Sequence, residues 1–407
     1  MNDVCPRFLF RPHSKKFASI ISTHLFYADE FFIGMITVTG TRPLLFYLYT
    51  MKLLVVTQKV DHDDENLGAF YRWWEKLAPH TDAMTILCRS AGDVVLPPQV
   101  TVATFGADKK GPHGKIGRFA RFMELLSRHY RQSDTVLFHQ IPEFVLAAAP
   151  VLKTIRRRSL FWYAHGAVTW RLKLAERLVD TVITSSADGF RLPSKKVIYT
   201  GQAIDTEVFR PGVGNEISGV GIRDSSPVIR LITIGRISPV KDYETMLRAF
   251  ALLRGRNGRE WTLSIVGGPL TVHDAEYLAL LKKQAVELNV ETAVTFFGPR
   301  PYGEIPKFLN AHDVFLNLSS TGSLDKAVLE AMACGRTVLT ANGAYRDILP
   351  SRYFVEHTSP EFVAGRLGTL ADDVRPNEVL RRIVVENHSL DRMMTQLVPL
   401  LGGAPLR

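Results

Sequence analysis

The sequence predicts an α/β protein in which buried strands alternate with helices to build parallel sheets. One stretch shows this clearly: residues 313–318 are predicted as a short buried strand, residues 319–323 as a turn of small residues, and residues 324–334 as a helix. A second stretch repeats the pattern, because residues 229–234 are predicted as a strand that leads through a polar turn into an amphipathic helix. With 407 residues, 46% of them hydrophobic, the chain is long enough to bury a core in each of two domains.

Composition divides the chain into segments. Within residues 1–50, the apolar stretch 31–49 is interrupted by Arg42-Pro43 and is too short for a membrane span. We interpret 1–50 as an N-terminal extension, either poorly ordered or upstream of a true start at Met51, with a peripheral membrane anchor as the alternative. The predicted organisation continues with an α/β domain at 51–209, a linker rich in Gly, Ser and Pro at 210–227, a second α/β domain at 228–375 and a helical segment at 376–407.

Charge and cysteine content limit the compartment and the partners. The formal net charge of +10 favours an anionic partner, for which nucleic acid, phosphates and anionic lipid all qualify. We expect no nucleic-acid partner, because the sequence contains no recognised nucleic-acid-binding module. Its three scattered cysteines encode neither a disulfide framework nor a zinc site, so we expect a cytoplasmic protein.

The helix predicted after residue 323 begins with an unusual charge. Lys326 places a cation in the first helical turn, where it opposes the helix dipole unless an anion is bound there. The free N–H groups at the helix start form an anion site, and a phosphate would remove the conflict. Glu330 lies one turn further on the same face, within reach of a hydroxyl-bearing group attached to that phosphate. The alternative is a surface helix on which Lys326 and Glu330 form a solvated ion pair.

Two motifs together resemble a known family. Gly235 and Arg236 are followed after four residues by Lys241, and residues 329–335 read Leu-Glu-Ala-Met-Ala-Cys-Gly. This combination resembles the family 4 glycosyltransferases, in the group called glycosyl transferases group 1, from about Met51 to the C-terminus. The resemblance implies the GT-B fold, with two facing Rossmann-like domains, a cleft between them and a C-terminal helix that crosses back. It also makes 51–209 the acceptor-side domain and 228–375 the nucleotide-sugar donor-binding domain.

The resemblance assigns roles to individual residues. Arg236 and Lys241 are implied to hold the diphosphate of the donor in the catalytic step, and Glu330 to bind its ribose hydroxyls. The remaining residues implied to bind the donor are Gly68, Gly235, Gly322, Ser323, Asp325 and Lys326. The sequence departs from the family at Gly322, since the family usually has a glutamate eight positions before the second one. The segment from Thr321 to Lys326 resembles a subgroup variant, in which we expect Asp325 to take over part of that role.

Two histidines follow predicted strands of the first domain. His139 ends the strand 135–139, and His165 ends the strand predicted at 160–165. Because ligands bind at the carboxyl edge of parallel sheets, we expect both imidazoles to face the cleft. His165 is predicted to act in catalysis by touching the donor sugar or the acceptor, and the resemblance supports this. We assign His139 to the acceptor side.

A basic amphipathic helix is predicted from Lys115 to Arg131. Its basic residues include Lys115, Arg118 and Arg121, and apolar residues recur at helical spacing between them. Such a helix fits the acceptor side or an anionic membrane surface. A solvated face of an ordinary domain helix is the alternative.

These observations predict a glycosyltransferase that needs neither a metal nor another cofactor. We expect it to move a sugar, with retention of configuration, from a UDP- or GDP-linked donor to a glycan or lipid-linked acceptor in polysaccharide biosynthesis. The predicted location is the cytoplasm, with peripheral association at the inner face of the plasma membrane. The alternatives are a nucleotide-sugar epimerase or hydrolase of the same fold, and a catalytically degenerate sugar-nucleotide-binding subunit, which the glycine at 322 motivates.

Overall fold

The structure is a computed structural model that describes residues 21–28, 31–38, 44–48, 51–65, 67–106, 114–212, 228–254, 258–372 and 376–402. It divides into two units, Met1–Thr50 and Met51–Arg407. In the first unit, three antiparallel strands form a sheet in the order β1-β2-β3, which the sequence did not predict: β1 (Ile21–Ala28), β2 (Phe31–Val38) and β3 (Leu44–Leu48). The rest of the predicted extension, linker residues 213–227 and residues 403–407 lie outside the described residues.

The second unit begins with a seven-stranded parallel sheet in the order β10-β9-β8-β7-β4-β5-β6. Its central strands are long runs of buried side chains, as expected for a parallel sheet with both faces covered. Its strands are β4 (Lys52–Val60), β5 (Ala83–Ala91), β6 (Val100–Thr104), β7 (Thr135–His139), β8 (Arg158–Trp162), β9 (Thr181–Thr184) and β10 (Val197–Tyr199).

Four helices accompany this sheet: α1 (Gly68–Leu77), α2 (Lys115–Gln132), α3 (Pro142–Thr154) and α4 (Trp170–Leu178). Each follows a strand, so its N-terminus lies toward the carboxyl edge of the sheet. Helix α1 buries an aromatic face that includes Phe70, Trp73 and Trp74. Both tryptophans are only 1% exposed and pack in the core.

The second parallel sheet has five strands in the order β13-β12-β11-β14-β15. They are β11 (Val228–Ile234), β12 (Glu260–Val266), β13 (Val294–Gly298), β14 (Val314–Asn317) and β15 (Thr337–Thr340). The helices are α5 (Tyr243–Leu253), α6 (Val272–Glu287), α7 (Ile305–Ala311), α8 (Lys326–Ala333) and α9 (Pro360–Leu370). Side-chain caps fix the starts of three of these helices: Asp242 accepts from the Thr245 amide at α5, Thr271 forms a capping box with Asp274 at α6, and Ser359 accepts from the Phe362 amide at α9.

The last two helices connect the two sheets. Helix α10 (Glu378–Asn387) packs on α8, whereas α11 (Leu390–Gly402) packs on α1 and β7 of the first sheet. At the crossing, Ile204 pairs with Ser389 in a parallel bridge. The Thr135 hydroxyl donates a buried 2.8 Å hydrogen bond to the Leu401 carbonyl oxygen, which fixes α11 against β7. The C-terminal helix that the resemblance implied therefore does return to the first domain.

Most strands lie where the sequence predicted them, but β8 is an exception. It ends at Trp162 instead of reaching His165, so His165 lies in the following loop. Among the described residues, no helix has the length and apolar character that crossing a membrane requires.

Candidate active site

A cavity of about 430 Å³ lies between the two parallel-sheet domains. The first domain contributes residues at the carboxyl ends of its strands, including Gln140 after β7 and Trp162 at the end of β8. The second domain contributes Gly235 and Arg236 after β11, together with the turn and helix that follow β14. Both sheets thus present the edge at which parallel α/β sheets bind ligands.

Both residues that are implied to hold the diphosphate line this cavity. Arg236 is exposed, and Lys241 ends a short 3-10 helix at Pro239–Lys241. The Lys241 amine bonds the carboxylate of Asp325, which also accepts a 3.0 Å hydrogen bond from the Asn317 amide nitrogen. Asp325 therefore holds Lys241 in place, next to the N-terminus of α8.

The turn before α8 is fixed by hydrogen bonds. The Asn342 side chain donates to the Ser323 carbonyl oxygen at 2.8 Å, and the Tyr345 hydroxyl donates to the Asp325 carbonyl oxygen at 2.6 Å. Ser323 and Asp325 line the cavity. The free amides of the first turn of α8 therefore belong to a preorganised backbone.

Gly322 occupies a position that disfavours a glutamate. Its φ of 71° lies in the left-handed region, where residues with a side chain are strained. A Cβ at this position would point toward the first domain, 3.5 Å from Arg191 Nη2 and 3.9 Å from the Asp188 carboxylate. The departure from the family pattern thus coincides with a left-handed backbone conformation at this position.

Lys326 opens helix α8, and its side chain reaches the first domain. Its amine lies 3.5 Å from the centroid of the Phe70 ring on α1, in a cation–π contact. Burial lowers the pKa of this amine to about 8, against the attraction of the Glu330 carboxylate. The position of a cation in the first helical turn is as predicted, and its binding to a phosphate stays a prediction.

Glu330 is 4% exposed and points into the same region. Its Oε1 accepts a 2.8 Å hydrogen bond from the Tyr302 hydroxyl. Burial raises the pKa of the carboxyl to about 7, although the Tyr302 hydrogen bond and the Lys326 charge act in the opposite direction. The alternative of a solvated surface pair is wrong, because neither Lys326 nor Glu330 is exposed.

Gly68 makes room for protein rather than lining the cavity. A Cβ on Gly68 would lie 2.7 Å from Tyr302 Cβ and 3.0 Å from the His62 carbonyl oxygen. The absent side chain therefore lets Tyr302 of the second domain approach α1. Gly68 was expected to contact the donor, but in the structure it contacts Tyr302.

The expectation that His139 faces the cleft is wrong. Its side chain is 2% exposed, and α1 covers it with the rings of Phe70 and Trp74 at centroid distances of 4.2 and 5.5 Å. Nδ1 lies 3.0 Å from the Thr57 hydroxyl, and burial lowers the pKa of the imidazole to about 3. Gln140, the next residue, lines the cavity in its place.

His165 is exposed, in the loop after β8. Its neighbour Ala164 lines the cavity, whereas His165 is not one of the lining residues. The strand ends three residues earlier than predicted, and this shift changes where the side chain lies. Its predicted role in catalysis stays a prediction.

The basic face of α2 is solvent-accessible. Arg121 donates to Glu124 at 2.9 Å, while Lys115 and Arg118 have no ion pair within the described part of the chain. Phe122, Leu125, Leu126 and Tyr130 form the buried face. The start of the helix differs, since Ile116 is 86% exposed and Phe119 is 54% exposed.

The sequence did not reveal Phe70 and Tyr302 as site residues, since each is an ordinary packing residue in its own element. A smaller space of about 70 Å³ adjoins the cavity, lined by Gly267, Gly268 and Arg300 among others. Gly267 packs directly on the Gly235 carbonyl, so a side chain there would collide with the backbone. Within the described residues, no cluster of His, Cys, Asp or Glu is arranged to hold a metal ion.

Residues 222–366 match the family model described as Glycosyl transferases group 1. This part of the chain is thus similar to the glycosyl transferases group 1 family. The matched residues include Arg236, Lys241 and Glu330, so much of the site described above lies within the match.

Several D-inositol 3-phosphate glycosyltransferases have similar sequences. The chain is 34% identical over 198 residues to the D-inositol 3-phosphate glycosyltransferase of Stackebrandtia nassauensis, a match that covers 47% of this chain and 42% of that protein. It is 27% identical over 251 residues to the enzyme of the same name from Salinispora arenicola, covering 56% of this chain and 55% of the other. The chain thus spans about half the length of these relatives.

Solved structures show the fold over a larger part of the chain. Anabaena Alr3699/HepE in complex with UDP and glucose superposes with a TM-score of 0.68 at 17% identity, covering 86% of this chain and 99% of the other. Sucrose-phosphate synthase from Thermosynechococcus elongatus gives a TM-score of 0.66 at 14% identity, covering 86% and 98%. The fold is GT-B, with two parallel-sheet α/β domains.

Proposed function

We propose that this protein is a family 4-like glycosyltransferase that transfers a sugar from a nucleotide diphosphate to an acceptor, without a metal and with retention of configuration. The observation that carries the proposal is the joint presence of Arg236, Lys241 and Glu330 in one interdomain cavity, beside the N-terminus of α8. The family match and the GT-B fold support it.

The arrangement suits a diphosphate leaving group. Negative charge builds on the diphosphate as the glycosidic bond breaks, and the sugar passes through an oxocarbenium-like state. Arg236, Lys241 and the free amides of α8 are the donors that stabilise this charge. Loss of one such preorganised donor typically costs about 3 kcal/mol of transition-state stabilisation.

The donor in this proposal is a uridine nucleotide sugar. HepE has been solved with UDP and with UDP-glucose, which supports this choice over GDP. Glu330 binds the ribose hydroxyls, and the space beside Gly267 and Gly268 receives the base. We propose a glycan or lipid-linked acceptor. The names of the relatives offer a second candidate, a small phosphorylated polyol such as D-inositol 3-phosphate.

A peripheral location at an anionic membrane belongs to the same proposal. The first turn of α2 exposes Ile116 and Phe119 beside Lys115 and Arg118, which combines apolar insertion with electrostatic attraction. Vesicles with and without phosphatidylserine test it by sedimentation. Binding that depends on the anionic lipid and is lost in an Ile116→Ser, Phe119→Ser double variant supports a membrane-facing α2, and equal binding of the variant rejects it.

Nucleotide binding is the first test of the transferase. Thermal unfolding of the full chain is measured with UDP, GDP and ADP, in the parent, in Lys241→Ala and in Lys283→Ala, whose exposed lysine on α6 is the matched control. A ligand at about 100 times its Kd adds about 2.7 kcal/mol to the free energy of unfolding. We expect stabilisation by UDP that only Lys241→Ala loses. No stabilisation by any nucleotide would reject the donor site.

Product analysis separates the rivals. Release of UDP together with a glycosylated acceptor is the expected result, and NMR of the new glycosidic bond reports whether the configuration is retained. Free sugar, or a sugar isomer without an acceptor product, would identify a hydrolase or an epimerase. Donor binding without any turnover would identify a degenerate binding subunit.

A further inference from the structure

Three cations line the interdomain cavity, and their surroundings differ. Lys241 bonds the Asp325 carboxylate, and Arg236 is exposed to solvent. Lys326 is partly buried, and its amine rests on the Phe70 ring. A cation at this depth has lost much of its hydration, and the aromatic face replaces only part of it.

No described carboxylate forms an ion pair with Lys326. Of the three carboxylates that line the cavity, Asp325 is bonded to Lys241, Glu330 accepts from Tyr302, and Glu65 forms no ion pair with the lysine. Histidine 139 behind the Phe70 ring stays neutral and offers no charge. The amine is therefore a partly buried cation that forms no direct ion pair with a described carboxylate, although the charge of Glu330 attracts it. A ligand anion in the cavity would supply the missing direct partner.

The position of the amine indicates which part of a substrate it meets. Under the proposed function, the diphosphate lies on the second domain at Arg236, Lys241 and the start of α8. Lys326 extends from that helix to Phe70 on the first domain, so its amine lies at the boundary between the domains. Under the same proposal, the transferred sugar extends from the diphosphate toward this boundary.

The turn that precedes α8 has no acidic side chain at residue 322. Its residue 322 is a glycine with a left-handed φ, so no glutamate accepts hydrogen bonds from sugar hydroxyls at this point. Beside this turn Lys326 supplies an ammonium donor to the cavity, while position 322 supplies no carboxylate acceptor. An ammonium suits an anionic substituent, whereas a carboxylate would repel one.

We propose that Lys326 binds a carboxylate on the transferred sugar, so that the donor is a nucleotide-linked sugar acid of the uronic type. This inference rests on the proposed function. The amine contacts the Phe70 ring in the structure, and in this proposal the sugar carboxylate becomes its main partner. Glucose and glucuronic acid differ only at C6, so their UDP derivatives isolate the carboxylate.

Isothermal titration of the full chain with UDP, UDP-glucose and UDP-glucuronate tests the proposal. We expect UDP-glucuronate to bind the parent about tenfold more tightly than UDP-glucose, as one charged hydrogen bond allows. Lys326→Met should bring the two sugars to equal affinity and change the Kd of UDP by less than about threefold. Lys326→Arg keeps the charge and should keep the preference, and Lys283→Met on α6 is the control.

Each other outcome overturns the inference in a distinct way. Equal affinity of the parent for the two sugars, with UDP bound normally, rejects the sugar acid and leaves the proposed function intact. A parallel loss of UDP binding in Lys326→Met assigns the lysine to the diphosphate instead. If UDP-bound protein binds inositol phosphate but not inositol, and Lys326→Met loses that preference, the anion comes from the acceptor. Absence of UDP binding in the parent rejects the UDP donor itself.

Discussion

The Tyr302 hydroxyl donates a 2.8 Å hydrogen bond to Oε1 of Glu330. Tyr302 can lie this close to the first domain because residue 68 there is a glycine, whose missing side chain leaves space for the tyrosine. One oxygen of this carboxylate is thus occupied by the protein. The other is oriented by that bond and remains for a ligand. The contact links the residue expected to bind ribose with the packing of the two domains against each other.

Tyr302→Phe should weaken nucleotide binding through the ribose. Without the hydroxyl, the Glu330 carboxylate loses its orientation, at a cost of about 1 kcal/mol, or roughly fivefold in Kd. We expect UDP to lose this affinity while 2′-deoxy-UDP changes little, since it lacks one of the hydroxyls. Titration of both ligands measures the difference, with Tyr353→Phe as a remote control. Tighter binding of UDP would mean that Tyr302 competes with the ribose.

The raised pKa of Glu330 predicts a pH dependence. The folded-state pKa is about 7 against an ordinary value of 4.5, so the folded protein binds the proton more strongly. The resulting stability is present below about pH 4.5 and is lost as the pH rises through 7, amounting to at most roughly 3 kcal/mol. Relative to Glu330→Gln, the parent should therefore lose melting temperature as the pH rises from 5 to 7.5, because the contributions of the buried histidines are common to both proteins. Lys326 titrates near 8, above this window. An unchanged slope in the variant would assign the pH dependence to other groups.

The affinity for UDP-glucose should rise with pH, whereas the contribution of Glu330 to stability falls. The ionised carboxylate accepts hydrogen bonds from ribose better than the protonated one, so affinity should rise between pH 6 and 8. The donor itself has no titrating phosphate in this range, unlike UDP. Titrations at four pH values in the parent and in Glu330→Gln measure it, and a pH-independent affinity in the parent would contradict the role of Glu330.

Gly322→Ala should destabilise the protein through backbone strain. A left-handed φ of 71° costs a residue with a Cβ about 1–2 kcal/mol. Gly343→Ala is the matched control, because Gly343 lies nearby in sequence, has no positive φ and has open space at its Cβ. Chemical denaturation of both variants gives the difference in the free energy of unfolding. Equal stability of the two would show that the turn accommodates a side chain, and would reopen a role for glutamate there.

His139→Leu should leave donor binding nearly unchanged. The substitution loses the hydrogen bond with the Thr57 hydroxyl, which destabilises the fold, and removes a buried Nε2 that has no hydrogen-bond partner, which stabilises it. We expect the two effects on the free energy of unfolding to cancel within about 1 kcal/mol. Activity with the donor and acceptor once identified should change by less than about threefold. A loss of a hundredfold or more would require the imidazole to reach the substrate, for which the helix α1 would have to move.

The sequence predicted the elements of both sheets because their patterns are local. Residues 135–139 were predicted to the residue, since a short run of buried side chains bounded by polar residues is typical of a parallel strand. Lys326 was recognised from its conflict with the helix dipole, which is also a local property. Glu330 followed from it by helical spacing.

The contacts between domains were not predictable in this way. Tyr302 meets Glu330 and Gly68 only because two sheets far apart in sequence face each other, and no local pattern marks that tyrosine. His139 shows the same limit: its strand was correct, but whether a strand-end side chain faces a cleft depends on the helix that covers it. Three aromatic residues of α1 decide this for His139.

The packing of α11 on α1 and β7 has a consequence for biosynthesis. The first sheet is complete in the nascent chain once Tyr199 has been made, yet the helix that covers this part of it follows the entire second domain. While the ribosome makes that domain, the surface of α1 and β7 that α11 later covers is open to water and to chaperones. The first domain therefore completes its packing only after α11, the last described helix, has been synthesised.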